Sequence, residues 1–188
     1  MKRKVIALTG GIGSGKSAVA KILRDHNFDT VDCDEIVLEI SRDKIVIEQV
    51  CQLLGQNSLK DGELNREYIR ATVFKDEKLL DEYQAIFHTR MKSRLEQIIQ
   101  ASKAQAVFVE IPVLDAFQFN WDEKWNVVSE VELRIQRVTQ RDKTSPQNTR
   151  DIMSRQKEYE CTRTIVNNGS ITELKNAICF ALIESHLI

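Results

Sequence analysis

The sequence predicts an α/β fold, a five-stranded parallel sheet flanked by helices and interrupted by a long helical insertion. Three observations predict it. Short runs of β-branched and aromatic residues alternate with helical periods, which is the pattern of βαβ units feeding a parallel sheet. The run from Ala106 to Ile111 carries Val107, Phe108 and Val109 in succession, as a strand covered on both faces does. Residues 35–105 place their apolar side chains at helical spacing.

The first strand is Val5 to Thr9, and a glycine-rich turn separates it from a helix bearing Val19, Ile22 and Leu23. Thr30 and Val31 with their neighbours form the second strand. The insertion reads as wholly helical, with Ile36, Val37 and Ile40, then Val46, Val50, Leu53 and Leu54, on successive faces. Asp61-Gly62 punctuates a turn within it, and a last long helix runs from about Glu77 to Gln100. The third strand is Ala106 to Ile111, the fourth Trp125 to Ser129 and the fifth Thr164 to Val166. Between the last two, Arg134, Arg137 and Arg141 share one side of a helix, and Ser145-Pro146 opens a second, polar helix as N-cap and first helical residue. Ser170, with Glu173 three residues on, opens the final helix through a capping box.

Composition narrows the function before any motif does. The chain has 188 residues, 27 basic and 28 acidic, and 42% of them are hydrophobic. A net charge of -1 supplies no global field for nucleic acid, so no nucleic-acid partner is expected. The longest apolar run, Ala177 to Ile183, is far shorter than the roughly 20 residues of a membrane-spanning helix, and the apolar stretch Val5 to Leu8 is too short for a secretory signal. Cys33, Cys51, Cys161 and Cys179 form no C-x-x-C pair, which points to a reducing, cytoplasmic setting with no zinc site or disulfide framework.

The chemistry starts at Gly10-Gly11-Ile12-Gly13-Ser14-Gly15-Lys16-Ser17, which satisfies G-x-x-x-x-G-K-[ST] directly after a strand and before a helix. Glycines let the backbone curl so that successive N–H groups point at phosphate oxygens, and the helix adds its positive dipole end. In this arrangement the loop residues bind ATP, Lys16 reaches the β- and γ-phosphates and Ser17 presents its hydroxyl to Mg²⁺. The base-reading and switch motifs of guanine-nucleotide proteins, N-K-x-D and D-x-x-G, do not occur, and Val107-Phe108-Val109-Glu110 is the closest approach to an apolar strand ending in Asp. A small kinase becomes the leading class.

The glycine loop, Asp32-Cys33-Asp34, Glu110-Ile111-Pro112-Val113-Leu114, Gln140-Arg141-Asp142 and Asn167-Asn168-Gly169 together resemble the dephospho-CoA kinase family of P-loop NTPase-type proteins. The resemblance runs nearly end to end. It implies transfer of the ATP γ-phosphoryl to the ribose 3′-hydroxyl of dephospho-CoA, the last step of coenzyme A biosynthesis. It also implies three parts: a nucleotide-binding core (1–34, 106–141 and 164–188), a helical acceptor domain (35–105) and a lid (142–163). Alternation along the chain leaves two roles for the aspartate pair, one facing the cleft and one capping the helix that begins near Glu35; the resemblance assigns catalysis to Asp34. It places Arg141, and with it Arg137, at the nucleotide, and Arg66 and His88 at the acceptor, where a solvated charged face and a structural histidine are the plainer readings. Trp121 and Trp125 read as packing residues.

The chain departs from the family pattern twice. Pro112-Val113-Leu114-Asp115-Ala116 has its acidic residue moved by one position, and Gln156 to Asn167 is short and lacks an Ala-Asp pair. Another small-metabolite or nucleoside kinase, and a nucleotide-binding regulator without turnover, are the competing readings.

Overall fold

A computed structural model describes residues 3–116 and 118–188. The chain divides into two compact units, Met1–Asp32 with Ser102–Ile188, and Cys33–Ala101.

In the first unit five parallel strands are ordered β2-β5-β1-β6-β7. They are β1 (Lys4–Thr9), β2 (Asp29–Asp32), β5 (Ala106–Glu110), β6 (Glu123–Val128) and β7 (Arg163–Val166). β1 lies at the centre, with Ile6 opposite Phe108 on one side and Leu8 opposite Trp125 on the other. Every residue of β5 is buried, whereas β6 alternates between buried and half-buried positions. Phe108 packs edge-on against both Phe28 and Trp125, with ring centroids 5.5 and 5.0 Å away. The helices of this unit are α1 (Lys16–Asp25), α6 (Val131–Asp142), α7 (Pro146–Ser154) and α8 (Ile171–Glu184). α8 opens on the Ser170–Glu173 capping box and lays Leu174, Ile178, Ala181 and Leu182 into the core. α7 is capped by Ser145, whose hydroxyl accepts the Asn148 N–H, with Pro146 at its first position. Residues 142–163 belong to this unit.

The second unit contains α2 (Cys33–Ile40), α3 (Lys44–Leu54), α4 (Arg66–Val73) and α5 (Glu77–Ala101). α5 packs against α2, α3 and α4. Asp43 caps α3 and also pairs with Arg90 of α5 at 3.2 Å, and Asn65 caps α4.

Two expectations for this unit are corrected. The insertion is not wholly helical: β3 (Leu59–Lys60) and β4 (Glu63–Leu64) pair antiparallel across Asp61-Gly62. Both turn residues are left-handed, φ 54° and 83°, which is what a tight two-residue hairpin with strand-compatible twist requires. The helix expected near Glu35 begins at Cys33, so Asp34 stands in its first turn, where its charge complements the helix dipole, and does not precede the helix as a cap.

Candidate active site

The glycine loop leaves the C-terminal end of the central strand, where ligands of open parallel sheets bind. Its shape is fixed through its carbonyls, two of them held from within the loop and three from outside it. Lys16 Nζ donates to Gly10 O (2.7 Å), Ser14 N–H to Gly11 O (3.1 Å), and Arg134 Nε to Ile12 O (2.9 Å). Arg137 reaches Gly13 O (3.4 Å), and Asn167 Nδ2 donates to Ser14 O (2.8 Å). Five consecutive carbonyls are thus held by neighbours, and the loop runs into the N-terminus of α1, whose first amides have no intrahelical acceptor. Gly15 joins the two at φ 99°, a left-handed conformation, and a Cβ there would strike the Asn167 carboxamide. The buried Ser14 hydroxyl has no partner among the described residues. A backbone curled around its own amides, with cations along its rim, fits an anionic phosphate chain.

Ser17, the second residue of α1, donates its hydroxyl to Glu110 Oε2 at 3.3 Å. Glu110 closes β5 and is buried. That burial, and then the charge of Asp32 beside it, push the Glu110 carboxyl above its ordinary range against the pull of Ser17, Arg24 and Lys16. A hydroxyl and a buried carboxylate of this kind are oxygen donors suited to Mg²⁺.

Arg134, Arg137 and Arg141 lie on α6 with different surroundings. Arg134 sits against the loop and is partly desolvated, which lowers its pKa from the ordinary value. Arg137 binds Ser129 Oγ and Asn167 O, each at 3.0 Å, so it ties β6 and β7 to the loop. Arg141 points elsewhere: it is mostly exposed and pairs with Asp142 at 2.6 Å. A cavity of about 320 Å³ lies beside the loop, lined on one side by Thr9, Gly10 and Gly11 and on the other by Arg134 and residues 156–159.

The two stretches that depart from the family pattern meet at this cavity. Lys157 Nζ and Tyr159 OH bond to the two Asp115 carboxylate oxygens at 2.8 and 2.7 Å. Those bonds hold the Asp115 carboxyl below the usual range, while burial and the Asp115 acceptor push the Tyr159 phenol up to about 12.

The second unit has a larger cavity of its own, about 690 Å³. Asp34 and Glu35 of α2, Arg66 and Arg70 of α4 and Tyr83 of α5 are among its polar groups, beside apolar side chains such as Leu38, Ile69 and Phe87. Burial raises the Tyr83 phenol, and the charges of Arg66 and Arg70 oppose it. Asp34 and Arg66 therefore share one cavity, while His88, half-buried one residue beyond Phe87, is not among its lining residues.

Sequence reasoning put Arg134 in a row of three like residues, quoted Asn167 within a family motif and Gln156 as the start of a short stretch without a role for either, and did not foresee the Glu110–Ser17 contact. The position of Glu110 at the end of a fully apolar strand was the one signal available for it.

The sequence model for dephospho-CoA kinase matches residues 4–173. A dephospho-CoA kinase from Hydrogenovibrio crunogenus is 34% identical over 164 residues, covering 81% of this chain and 81% of the relative. Its counterpart from Protochlamydia amoebophila is 31% identical over 192 residues, covering 95% and 94%. A crystal structure from Thermus thermophilus superimposes with a TM-score of 0.87 at 27% identity, over 98% of both chains.

Proposed function

The chain belongs to the dephospho-CoA kinase family, and from that membership we propose that the glycine loop and the cavity of the helical unit are its two substrate sites. The reaction is ATP-dependent phosphorylation of the ribose 3′-hydroxyl of dephospho-CoA, giving coenzyme A and ADP. The observation that carries the assignment is the strand–loop–helix unit with its carbonyls held by hydrogen bonds and its helix N-terminus at the turn.

The triphosphate lies along the loop from Gly10 to Ser17, with the amides of Gly11, Ile12, Gly13 and Gly15 around it, while the Ser14 amide stays on Gly11 O. Lys16 exchanges Gly10 O for the β- and γ-phosphates. Ser17 and Glu110 would hold Mg²⁺, which would supply neutralisation of the phosphate charge. Asp34 accepts the proton of the attacking 3′-hydroxyl, supported by its place in the first turn of α2 and on the wall of the acceptor cavity. Arg137 acts through the loop that it braces, and Arg141 reaches the transferring phosphoryl once its pair with Asp142 opens. The apolar wall of the 690 Å³ cavity suits the pantetheine arm, and Arg66, with His88 nearby on α5, suits the anionic part of dephospho-CoA. Residues 1–34, 106–141 and 164–188 serve as nucleotide core, 35–105 as acceptor domain and 142–163 as lid. The setting is cytoplasmic, in keeping with four free thiols.

Product analysis tests the reading. Incubation with ATP and a panel of hydroxyl acceptors should add one phosphoryl group to dephospho-CoA, at the 3′ carbon by phosphorus–proton NMR correlation. Preferential phosphorylation of a nucleoside or another small metabolite would replace it with the competing kinase reading.

A further inference from the structure

The segment after α7 occupies the glycine loop with one of its own side chains. Gln156 Oε1 accepts two hydrogen bonds, from the Ile12 backbone N–H and from the Arg134 guanidinium, each 3.0 Å long. A loop amide and a cation converging on one oxygen are the donors that a phosphate oxygen takes. The approach is close: a Cβ on Gly11 would collide with both the Arg134 guanidinium and the Gln156 carboxamide. Just beyond, Lys157 and Tyr159 fasten the same segment to Asp115. Gln156 and Lys157 are exposed, so core packing does not hold them there and the polar contacts do.

We propose that Gln156 is a gate on the nucleotide site, seated on Ile12 and Arg134 until a phosphate oxygen displaces it, and that the Asp115–Lys157–Tyr159 cluster keeps the gate seated. The inference rests on the loop being the ATP site. Apparent affinity for any ligand needing these donors is reduced by the fraction of molecules with the gate open. A carboxamide oxygen is neutral, whereas phosphate makes a charge-assisted bond to Arg134, so a triphosphate wins the exchange. Gln156 is on this account a positioning residue that sets nucleotide affinity and entry rate.

The test measures binding of a non-hydrolysable ATP analogue, without acceptor, to the wild-type chain, Gln156→Ala, Asp115→Ala and the double variant. Calorimetry gives affinity and stopped-flow fluorescence gives the association rate. Removing the competing acceptor should tighten binding about 3- to 10-fold and speed association, as loss of one or two ordinary hydrogen bonds implies. Asp115→Ala should shift both in the same direction by less, and the double variant should bind no tighter than Gln156→Ala alone. Melting temperatures of these surface variants should match the wild type. Unchanged or weaker binding by Gln156→Ala would overturn the gate while leaving the nucleotide site standing. A wild-type chain that binds no ATP analogue would overturn both.

Discussion

Replacing Glu123 with Gln should separate the stability of the sheet from the chemistry at its other end. Glu123 opens β6, and its side chain is 9% exposed. One carboxylate oxygen accepts Lys4 Nζ (2.8 Å); the other accepts Trp125 Nε1 (3.0 Å), Arg163 Nε (3.2 Å) and Ser185 Oγ (2.7 Å). The group thereby joins β1, β6, β7 and the residue after α8. Burial alone would raise its pKa, but the bonds from Lys4, Trp125 and Ser185, with the Lys4 charge, outweigh it and bring the value from 4.5 down to about 2. At about 1.4 kcal/mol per unit, the ionised form contributes about 3 kcal/mol to folding. Because the folded pKa is depressed, that contribution is complete above the unfolded value near 4.5 and is lost as pH falls from there toward about 2. Urea melts of Glu123→Gln from pH 3 to 7 should show a deficit of about 3 kcal/mol at neutral pH, or about 6–12 °C in melting temperature for a chain this long, shrinking below pH 4.5. ATP affinity should be unaltered while the protein is folded. A deficit below about 0.5 kcal/mol, the ordinary range for surface changes, or one equal at pH 3 and pH 7, would refute the reasoning.

Asp34→Asn should lower kcat about 10²- to 10⁴-fold with ATP affinity retained, as loss of a general base does, and near-normal turnover would remove the proton-accepting role. Asn167→Ala leaves the Ser14 carbonyl without its buried donor, so calorimetry should show weaker ATP binding and melts a loss of about 1–3 kcal/mol. Glu110 has a raised folded pKa, so its contribution to stability is present at low pH and lost as pH rises through that value. Glu110→Gln should therefore melt higher than the wild type at pH 7, with the gap closing on acidification, while its turnover falls; a lower melting temperature at pH 7 would contradict the sign.

Legibility of the fold followed the length of each signal. The glycine spacing between an apolar strand and an apolar-periodic helix located β1 and α1 with their turn, because each residue there has a backbone reason for its place. β5 was readable because burial on both faces makes every position apolar. Leu59-Lys60 and Glu63-Leu64 are two residues each, too short to display a period of two, and only Asp61-Gly62 signalled a turn. In the candidate site the local motif was legible and its braces were not. Asn167 meets Ser14 across 153 residues of sequence because β7 lies beside β6 and β6 beside β1, an order that no local pattern encodes. Arg134 differs from Arg141 only in which turn of α6 faces the loop. The changes at Asp115 and at Lys157 and Tyr159, seen in sequence as separate departures, are halves of one contact.

ADP release from Mg·ATP, followed with and without dephospho-CoA for the wild type and Lys16→Ala, puts the loop and the acceptor into a single readout. Acceptor-dependent release by the wild type that disappears in Lys16→Ala is the predicted result. Equal release with and without dephospho-CoA, or release that survives loss of the Lys16 ammonium, would contradict phosphoryl transfer from this loop to that hydroxyl.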